Sequence, residues 1–464
     1  MLKIFNKYYT IRNLLFFFGE TALICLGIWC AIAVTEQWFV PEQEALGFNI
    51  WVRVLFITFV LQVSLYYNDL YEFSRRYSVF DLSMRIVQAI GVACLILAAA
   101  YYLFPGLILR QGIFFVGLFF LLFFLVSWRF LYQYVCKHNI FNDHVLLIGD
   151  GPLAGMISKE VDALDSGYSI AGIFSNPQSA GLAEDLGVEH ISDYSQLCSF
   201  TQAQGAGSIV MALQERRGRS PIRELLNCKL QGVKVMEGVS FYEALSGKVL
   251  ATQAPPSWLI FSEGFRRHKF ILGGKRILDI VFAGLGLMLA SPLMGFIALA
   301  VKWSSPGPVL FRQTRTGQLE KTYQVLKFRT MRQDAELEGR AVWATEHDPR
   351  ITRVGHVLRK FRFDELPQFW NVLKGEMSFV GPRPERPEFV EKLKEQLPYY
   401  GERHTVKPGI TGWAQINYPY GASEEDALRK LEYDLFYIKN LSLLFDIYIV
   451  LKTIKTVIVG EGAR

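Results

Sequence analysis

The stretch that governs the C-terminal part of the chain reads Arg359-Lys-Phe-Arg-Phe-Asp364-Glu365-Leu-Pro-Gln368, followed by Asn371-Val-Leu-Lys-Gly375. An adjacent Asp-Glu pair follows two arginines, and the spacing predicts a short helix that opens near this pair and ends at Gly375. Acidic residues are ordinary at helix starts, because they favour the positive end of the helix dipole. Carboxylates beside arginines at a helix N-terminus also suit a site that binds phosphate and uses a carboxylate on it. This stretch alone leaves both interpretations open.

The composition indicates a membrane protein of several domains. The chain has 464 residues, a length that predicts about two to four units. Hydrophobic residues make up 51% and aromatic residues 14%, which is rich for a soluble enzyme. The net charge of +6 is modest, and we expect no nucleic-acid partner. The six cysteines form no Cys-x-x-Cys and no Cys/His cluster, so we expect neither a disulfide framework nor a zinc site.

Four apolar runs near the N-terminus each approach the ~20 residues that cross a bilayer. They are Leu14–Val34, Ile50–Tyr67, Ile86–Phe104 and Ile113–Val135. Lys and Arg residues precede the first run and lie between the second and third, whereas the other two loops contain only Arg110. By the positive-inside rule, both ends of this block are cytoplasmic. The sequence therefore predicts a four-helix transmembrane bundle over residues 1–140.

Residues 141–253 have the pattern of a Rossmann-like α/β domain. The strand Val145–Ile148 runs into the glycine-rich turn Gly149–Gly155, and further strand patterns occur at Ser169–Phe174, Ser208–Ala212 and Val233–Met236. Strands that alternate with helices predict a parallel sheet of the doubly wound type. The turn is similar to a dinucleotide fingerprint, but Phe174-Ser175-Asn176 supplies no acid for a ribose. We therefore expect a structural or regulatory domain, with its ligand left open.

Residues 254–273 are predicted to be a linker, and the apolar run 277–303 that follows contains Ser291-Pro292 near its centre. A straight helix of this length exceeds the ~30 Å hydrocarbon core, so a fifth spanning helix is one interpretation. Proline removes a backbone donor, and a preceding serine can bond a freed carbonyl and deepen the bend. Both flanks are basic, which opposes crossing. We therefore predict a re-entrant helix that enters, bends at Ser291-Pro292 and returns.

Ordered motifs in the C-terminal third resemble those of one known family. They are Lys275–Asp279, Ser291-Pro292, Lys327–Met331, Asp364–Gln368, Asn371–Gly375, Gly381–Pro384, Lys407–Gln415 and Asp434–Asn440. Together they resemble the catalytic domain of bacterial monotopic phosphoglycosyl transferases. With its four apolar runs and α/β middle, the chain resembles the long polyprenyl-phosphate sugar phosphotransferases. Its N-terminal Ile4–Tyr9 is similar to the branch that accompanies exosortase-type exopolysaccharide loci.

The resemblance implies transfer of a hexose-1-phosphate from a UDP-sugar to undecaprenyl phosphate, with release of UMP. The product would initiate exopolysaccharide or O-antigen assembly on the cytoplasmic face of the bacterial inner membrane. By the family pattern, Asp364 is the nucleophile and forms a phosphosugar-aspartate, and Mg²⁺ at the diphosphate touches Asp364. Glu365 is carried as catalytic with its role open. Membrane lipids are implied partners, a homodimer is a further expectation, and the sequence does not select the sugar.

Residues 274–464 are accordingly the predicted α/β catalytic domain. Phosphoryl transfer needs charge neutralisation, so basic and turn residues are the candidates for substrate binding. These are Lys327, Arg329, Arg359, Pro382 and Arg383. On their own, Lys327 and Arg329 alternate along a strand and suit a solvated face equally well. Ser291 and Pro292 are expected to be structural, holding the acidic pair at the membrane surface.

Two alternatives from other classes deserve a test against the structure. A membrane-bound nucleotide-sugar dehydratase would need a second glycine fingerprint and a catalytic Tyr-x-x-x-Lys on a helix. Tyr323 and Lys327 have that spacing but lie in a strand-like stretch. A non-catalytic scaffold for sugar lipids is the other alternative. Release of UMP from UDP-sugars separates it from the transferase.

Overall fold

The computed structural model describes residues 2–4, 7–9, 11–38, 49–71, 78–109, 113–137, 142–163, 166–175, 181–213, 221–254, 256–262, 264–265, 268–332, 350–418, 421 and 423–459. Contacts divide the chain into two compact units. The first contains Tyr8–Phe241 with Met1–Lys3, and the second contains Tyr242–Arg464 with Ile4–Lys7. At the N-terminus, strands β1 (Leu2–Ile4) and β2 (Lys7–Tyr9) pair with each other.

Four long helices open the first unit: α1 (Ile11–Trp38), α2 (Ile50–Tyr67), α3 (Val79–Leu103) and α4 (Ile113–Lys137). They share one apolar core, to which they contribute the fully buried Ile24, Leu65, Ile86 and Leu125, respectively. Their outer faces expose further large apolar side chains, as expected for helices surrounded by lipid. Among the described residues, five helices are long and apolar enough to cross a membrane: these four and a fifth at Lys269–Ser304.

A buried ion pair joins α1 to α4 inside this core. Arg129 Nη2 lies 2.7 Å from Glu20 Oε1, and both side chains are almost fully buried. Arg129 also donates to the Leu70 carbonyl and lies over the rings of Phe16 and Tyr71. An unpaired charge in an apolar interior is costly, so this pair favours one register of α1 against α4.

The rest of the first unit is a five-stranded parallel sheet in the order β5-β4-β3-β6-β7. The strands are β3 (Asp143–Ile148), β4 (Tyr168–Phe174), β5 (Glu189–Ile191), β6 (Ser208–Met211) and β7 (Lys234–Glu237). Successive strands are connected by α5 (Pro152–Ala163), α6 (Gly181–Leu186), α7 (Leu197–Ala203) and α8 (Ile222–Leu230). Helix α9 (Gly238–Ser246) follows β7, and the second unit begins within it at Tyr242. The predicted parallel α/β sheet is confirmed. Only the short strand β5 was missed, because three residues are too few for a periodic signal.

One disulfide lies in this domain, although the cysteine spacing predicted no disulfide framework. Cys198 on α7 and Cys228 on α8 are bonded, with their Cα atoms 5.3 Å apart and a sequence separation of 30. Both helices pack on the same apolar core, which includes Leu197 and Leu225. This packing brings two distant cysteines together in a way that no spacing rule for cysteines would detect.

The second unit contains most of the remaining elements. They are α10 (Pro256–Phe261), α11 (Lys269–Ser304), β8 (Leu310–Thr316), β9 (Thr322–Phe328), α12 (Arg353–Lys360), α13 (Gln368–Lys374), β10 (Ser378–Val380), α14 (Pro387–Gln396), β11 (Gly409–Thr411), α15 (Trp413–Asn417), α16 (Glu424–Lys439) and α17 (Leu443–Val459). Strands β8 and β9 form an antiparallel hairpin, and β10 pairs with β11 in parallel. Gly247, which precedes α10, also packs in the second unit, because its carbonyl accepts a hydrogen bond from the indole N–H of Trp413 over 2.8 Å.

Helix α11 packs against the rest of the second unit in two separate stretches. Ala283, in its first half, shares an apolar cluster with Val325 and Val372. Ile297 and Val301, in its last turns, belong to a second cluster with Phe328 and Leu358. The face that does not pack exposes a long row of apolar side chains: Ile277, Val281, Leu285, Met288, Leu289, Phe296, Leu299 and Trp303.

Polar contacts hold both ends of α11. Lys275 Nζ lies 2.7 Å from Asp446 Oδ2 and donates to the Val380 carbonyl over 2.8 Å, and all these groups are buried. At the other end, the Arg329 guanidinium donates to the carbonyls of Ser305 (2.7 Å) and Pro306 (2.9 Å). Both ends of α11 are therefore attached to one globular unit.

The Ser-Pro pair lies between these attachments. Pro292 has no N–H to donate to the carbonyl four residues earlier, that of Met288. The Ser291 hydroxyl donates to that same carbonyl over 2.9 Å, so the freed acceptor is satisfied. The helix has 36 residues and begins eight positions before the predicted run, at Lys269. The first turns of α11 are basic and therefore were not part of the predicted apolar run. They are helical in the structure, where Lys275 binds Asp446 and the Val380 carbonyl.

Candidate active site

The acidic pair lies in a tight turn between α12 and α13. Phe363–Glu365 form one turn of 3₁₀-helix, and Arg362 before them adopts the left-handed conformation with φ 56°. The prediction that the pair opens the helix is therefore corrected, because α13 begins only at Gln368. Its predicted end is confirmed: Gly375 has φ 86° and its N–H donates to the Val372 carbonyl over 2.9 Å.

Glu365 is held by two cations. Its Oε1 lies 2.8 Å from Lys327 Nζ and 3.0 Å from Arg383 Nη2, and only 11% of its side chain is exposed. Burial alone would raise the pKa of Glu365, but Lys327 and Arg383 more than offset it and hold the pKa well below its usual range. Glu365 is therefore a fixed negative charge that joins β9 to the turn carrying Arg383.

Asp364 has the opposite environment. It is 9% exposed, and among the described residues no donor forms a hydrogen bond to its carboxylate. Burial raises the pKa of Asp364 and the Glu365 charge raises it further, while Lys327, Arg359 and Arg383 partly offset this rise. Its carboxylate oxygens are thus near cations without being used by them, which suits a nucleophile or a metal ligand.

The structure brings three of the four predicted cations to the pair. Lys327 and Arg383 contact Glu365 directly, and Arg359 acts on Asp364 through its charge while its Nε donates to Thr330 Oγ1. Arg329 has a different place, because β9 ends at Phe328 and the chain then turns toward α11. Its buried guanidinium binds the carbonyls that follow α11, so Arg329 fixes that helix and does not face the acidic pair.

Pro382 and Arg383 belong to the turn Gly381-Pro-Arg-Pro384, and four successive carbonyls from Pro382 to Glu385 hold the backbone here. Each carbonyl accepts a hydrogen bond from a different residue: Pro382 from Gly409 N (2.9 Å), Arg383 from Arg403 Nη2 (3.0 Å), Pro384 from Arg315 Nη1 (3.1 Å) and Glu385 from Thr316 N (2.9 Å). At Gly381, an added Cβ would collide with the Lys407 carbonyl. The conformation of this turn therefore depends on packing as much as on its prolines.

Sequence reasoning missed three residues that build this site. Arg362 lowers the pKa of Glu365 by its charge, and its position two residues before Asp364 was the available signal. Asn371 joins α13 to β9, since its Oδ1 accepts from Leu326 N over 3.0 Å and its Nδ2 donates to the Gln324 carbonyl over 2.7 Å. Arg403 has no local motif and could be found only from the tertiary structure.

The donor set at Asp364 fits a divalent cation. Carboxylate oxygens are preferred Mg²⁺ ligands, and Mg²⁺ commonly takes one or two of them together with water and substrate phosphates. Within the described ranges, no group of three or more His, Cys, Asp or Glu side chains could hold a metal. A cation at Asp364 would therefore complete its shell with substrate oxygens and water.

The geometry also bears on the dehydratase alternative. That alternative requires Tyr323 and Lys327 on a helix, where residues four apart share a face. Both instead lie on strand β9, and Lys327 is bound to Glu365. The spacing of Tyr323 and Lys327 therefore does not form the catalytic pair of that class.

Comparison with known proteins gives a match to the family described as bacterial sugar transferase, over residues 269–460. A UDP-N-acetylgalactosamine-undecaprenyl-phosphate N-acetylgalactosaminephosphotransferase of Aeromonas hydrophila is 44% identical over 242 residues, which are 52% of this chain and 56% of that protein. The UDP-glucose:undecaprenyl-phosphate glucose-1-phosphate transferase of Escherichia coli (strain K12) is 37% identical over 302 residues, 64% of this chain and 63% of that protein. The exopolysaccharide production protein PSS of Rhizobium leguminosarum bv. phaseoli is 40% identical over 185 residues, 39% of this chain and 92% of that protein.

The chain thus matches somewhat more than half the length of the first two relatives and nearly all of the third. Its fold and site define a membrane-associated transferase, in which an acidic pair lies among cations on a domain that carries a long apolar helix. The chain belongs to the bacterial sugar transferase family, whose match includes Asp364, Glu365 and their cations. The resemblance inferred from the ordered motifs is confirmed.

The contrasting environments of the two carboxylates predict opposite effects on stability when each is neutralised. An acid whose pKa is raised by folding lowers stability above its unfolded pKa, near 3.8 for Asp364, so Asp364→Asn should raise the melting temperature at pH 7. Glu365→Gln should lower stability by about 1.5–3 kcal/mol, the usual contribution of hydrogen bonds to charged groups. Thermal unfolding of the full chain in detergent measures both.

The pH dependence supplies a control on this interpretation. A depressed pKa gives stability that is present above the unfolded value, 4.5 for Glu365, and is lost as the pH falls toward the folded value. The deficit of Glu365→Gln should therefore shrink when unfolding is repeated near pH 4. Glu320→Gln, at a half-exposed surface pair with Lys394, should change little at either pH. Equal destabilisation by Asp364→Asn and Glu365→Gln would contradict the contrasting environments assigned to the two carboxylates.

Proposed function

We propose that this chain transfers a hexose-1-phosphate from a UDP-sugar to undecaprenyl phosphate and releases UMP. The observation that carries the proposal is a buried Asp364 with no hydrogen-bond donor among the described residues, beside a Glu365 that two cations hold. The names of the relatives support the substrate classes, since both the Aeromonas and Escherichia proteins are named for a UDP-sugar and undecaprenyl phosphate. Those names differ in the sugar, so the donor sugar is left open.

The reaction would proceed in two displacements at one phosphorus atom. First, an Asp364 oxygen attacks the β-phosphorus of the UDP-sugar, and the bond from that phosphorus to the bridging oxygen breaks. UMP leaves with the bridging oxygen, and the sugar-phosphoryl group remains on the carboxylate. Second, a phosphate oxygen of undecaprenyl phosphate attacks the same phosphorus. The bond to Asp364 breaks, which regenerates the free carboxylate and yields the sugar diphosphate lipid.

The cations would neutralise the charge that gathers on the transferred phosphoryl group. Lys327 and Arg383 lie beside Glu365, and Arg359 adds its charge at Asp364. Preorganised cations in a largely buried site stabilise the transition state more effectively than mobile ones in water. Glu365 would act as the template that holds Lys327 and Arg383 in place. Its hydrogen bonds to both cations support that role over one as a proton acceptor.

Magnesium would be held by Asp364 together with oxygens of the donor diphosphate. When bound, it would supply further neutralisation of the diphosphate charge. The protein groups keep separate tasks: Asp364 provides the reacting oxygen, and Glu365 keeps its two cations. Pro382 restricts the turn from which Arg383 projects.

The membrane arrangement is a further part of the proposal. Helix α11 would enter the cytoplasmic leaflet, bend at Ser291-Pro292 and return. Three observations support this form: both ends attach to one globular unit, the Ser291 hydroxyl compensates for Pro292, and apolar side chains cover the outer face. The catalytic unit would then lie on the cytoplasmic face of the bacterial inner membrane. The product would start an exopolysaccharide or O-antigen repeat unit, and the name of the Rhizobium relative supports a role in exopolysaccharide production.

UMP release tests the activity. Purified full-length protein in detergent, with Mg²⁺, undecaprenyl phosphate and a panel of UDP-sugars, should release UMP from at least one donor. Asp364→Asn should lower the rate by at least about 10³-fold, as expected when a nucleophile is lost. Glu320→Gln changes a surface carboxylate and serves as the matched control that retains activity. Absence of UMP across the panel would favour the scaffold alternative, and an active Asp364→Asn would refute the nucleophile.

Labelling of single introduced cysteines tests the path of α11. His268→Cys and Pro308→Cys place thiols at exposed positions just before and just after the helix. With a membrane-impermeant maleimide, both should react in inside-out vesicles and neither in right-side-out vesicles. The unsubstituted chain gives the background from its own cysteines. Labelling of the two positions from opposite sides would establish a spanning helix instead.

A further inference from the structure

A buried side chain reaches the backbone of Arg383 from outside the acidic site. Arg403 is 6% exposed, and its Nη2 donates both to the Arg383 carbonyl over 3.0 Å and to Asp434 Oδ2 over 2.9 Å. Its Nη1 donates to the Tyr400 hydroxyl over 2.5 Å, and the guanidinium lies 5.0 Å from the centre of that ring. The position and orientation of Arg403 are therefore fixed by three partners at once.

Asp434 holds Arg403 from helix α16. Asp434 is 1% exposed, and other residues of that helix, including Leu435 and Phe436, are buried as well. A buried ion pair is weak support for stability, because desolvation offsets most of its attraction and apolar residues of similar size would serve as well. A pair whose cation also binds a backbone carbonyl has a second role available, which is to fix the position of that carbonyl.

The carbonyl that Arg403 binds belongs to Arg383, whose side chain reaches Glu365. Prolines on both sides of Arg383 restrict the backbone, so the main remaining freedom is displacement of the turn as a body. Four donors oppose this displacement, and Arg403 is the donor at Arg383 itself. Among the described residues, neither Arg403 nor Asp434 forms a hydrogen bond with Asp364 or Glu365. Their influence on the site therefore passes through Arg383.

We propose that Arg403 and Asp434 are positioning residues, which fix the Arg383 carbonyl and thereby set where its guanidinium meets Glu365 and the donor phosphate. The catalytic part of this inference rests on the proposed function. A misplacement of about 1 Å at a charge-neutralising group can cost on the order of 10²-fold in rate. The pair contributes to turnover by keeping that displacement small.

Two conservative variants test the proposal in the full-length protein. Arg403→Lys keeps the charge but cannot reproduce the planar fork that reaches Asp434, Tyr400 and the carbonyl together. Asp434→Asn keeps the volume and removes the charge that orients Arg403. Each should lower kcat for UMP release by roughly 10- to 100-fold, with a smaller change in KM.

Glu243→Gln provides the matched control. Glu243, on α9, forms a similarly buried ion pair with Lys439 of α16 over 2.6 Å, and its carboxylate also accepts from Asn440 Nδ2. It should lose stability as the test variants do and keep kcat. A fall in kcat equal to that of Arg403→Lys would reduce the effect to general destabilisation and overturn the proposal.

A double-mutant cycle with Arg383→Ala separates positioning from independent effects. If Arg403 and Asp434 act through Arg383, then Arg403→Lys and Asp434→Asn should cost nothing further in the Arg383→Ala background. Losses that multiply with that of Arg383→Ala would overturn the proposal. Should Asp434→Asn fail to fold, Arg403→Lys decides by the same criterion.

Hydrogen exchange gives a readout that does not require turnover. Amide exchange in a peptide covering residues 378–386 should accelerate at least about tenfold in Arg403→Lys and Asp434→Asn, and remain unchanged in Glu243→Gln. Unchanged exchange in both test variants would overturn the positioning role even in an active enzyme. Accelerated exchange in a protein that releases no UMP would support positioning while refuting the proposed function.

Discussion

The contact on which the site depends is the Glu365 carboxylate held between Lys327 and Arg383. It draws together three parts of the second unit: strand β9, the 3₁₀ turn of the acidic pair and the turn around Arg383. Because Glu365 occupies both cations, its neighbour Asp364 lies in their field without accepting their hydrogen bonds. The two adjacent carboxylates therefore differ in pKa because their environments differ: Glu365 is a fixed charge, whereas the environment of Asp364 suits a reactive group.

The apolar helix α11 and the acidic site are connected through the same few contacts. Lys275 binds Asp446 and the Val380 carbonyl, at the end of the strand that leads into the Arg383 turn. At the other end, Arg329 binds the carbonyls after α11 and directly follows the strand that carries Lys327. A helix attached at both ends would hold the site at one depth relative to the membrane surface. In the proposed reaction, a soluble donor and a lipid-borne acceptor would reach the same carboxylate in turn.

Features that depend on local sequence could be predicted, and those that depend on tertiary contacts could not. The apolar helices, the parallel sheet and the stop at Gly375 follow from hydrophobic periodicity and from backbone preferences that neighbouring residues determine. The Cys198–Cys228 bond and the role of Arg403 depend on residues distant in sequence. Arg329 was a candidate because it is a cation in the Lys327–Met331 motif, but β9 ends at Phe328 and the Arg329 guanidinium binds the carbonyls that follow α11. The order of motifs identified the family and implied that Asp364 is the nucleophile, whereas the different environments of Asp364 and Glu365 became visible only in the structure.

The central claim is that Asp364 carries the sugar-phosphoryl group between donor and acceptor. The most direct measurement is peptide mass spectrometry of full-length protein denatured after incubation with Mg²⁺ and UDP-glucose or UDP-N-acetylgalactosamine, with undecaprenyl phosphate omitted. The account predicts the added mass of one sugar-phosphoryl group on the peptide that contains Asp364, and its disappearance when undecaprenyl phosphate is added before denaturation. Release of UMP with no added mass on any peptide, or with the mass on a residue other than Asp364, would contradict it.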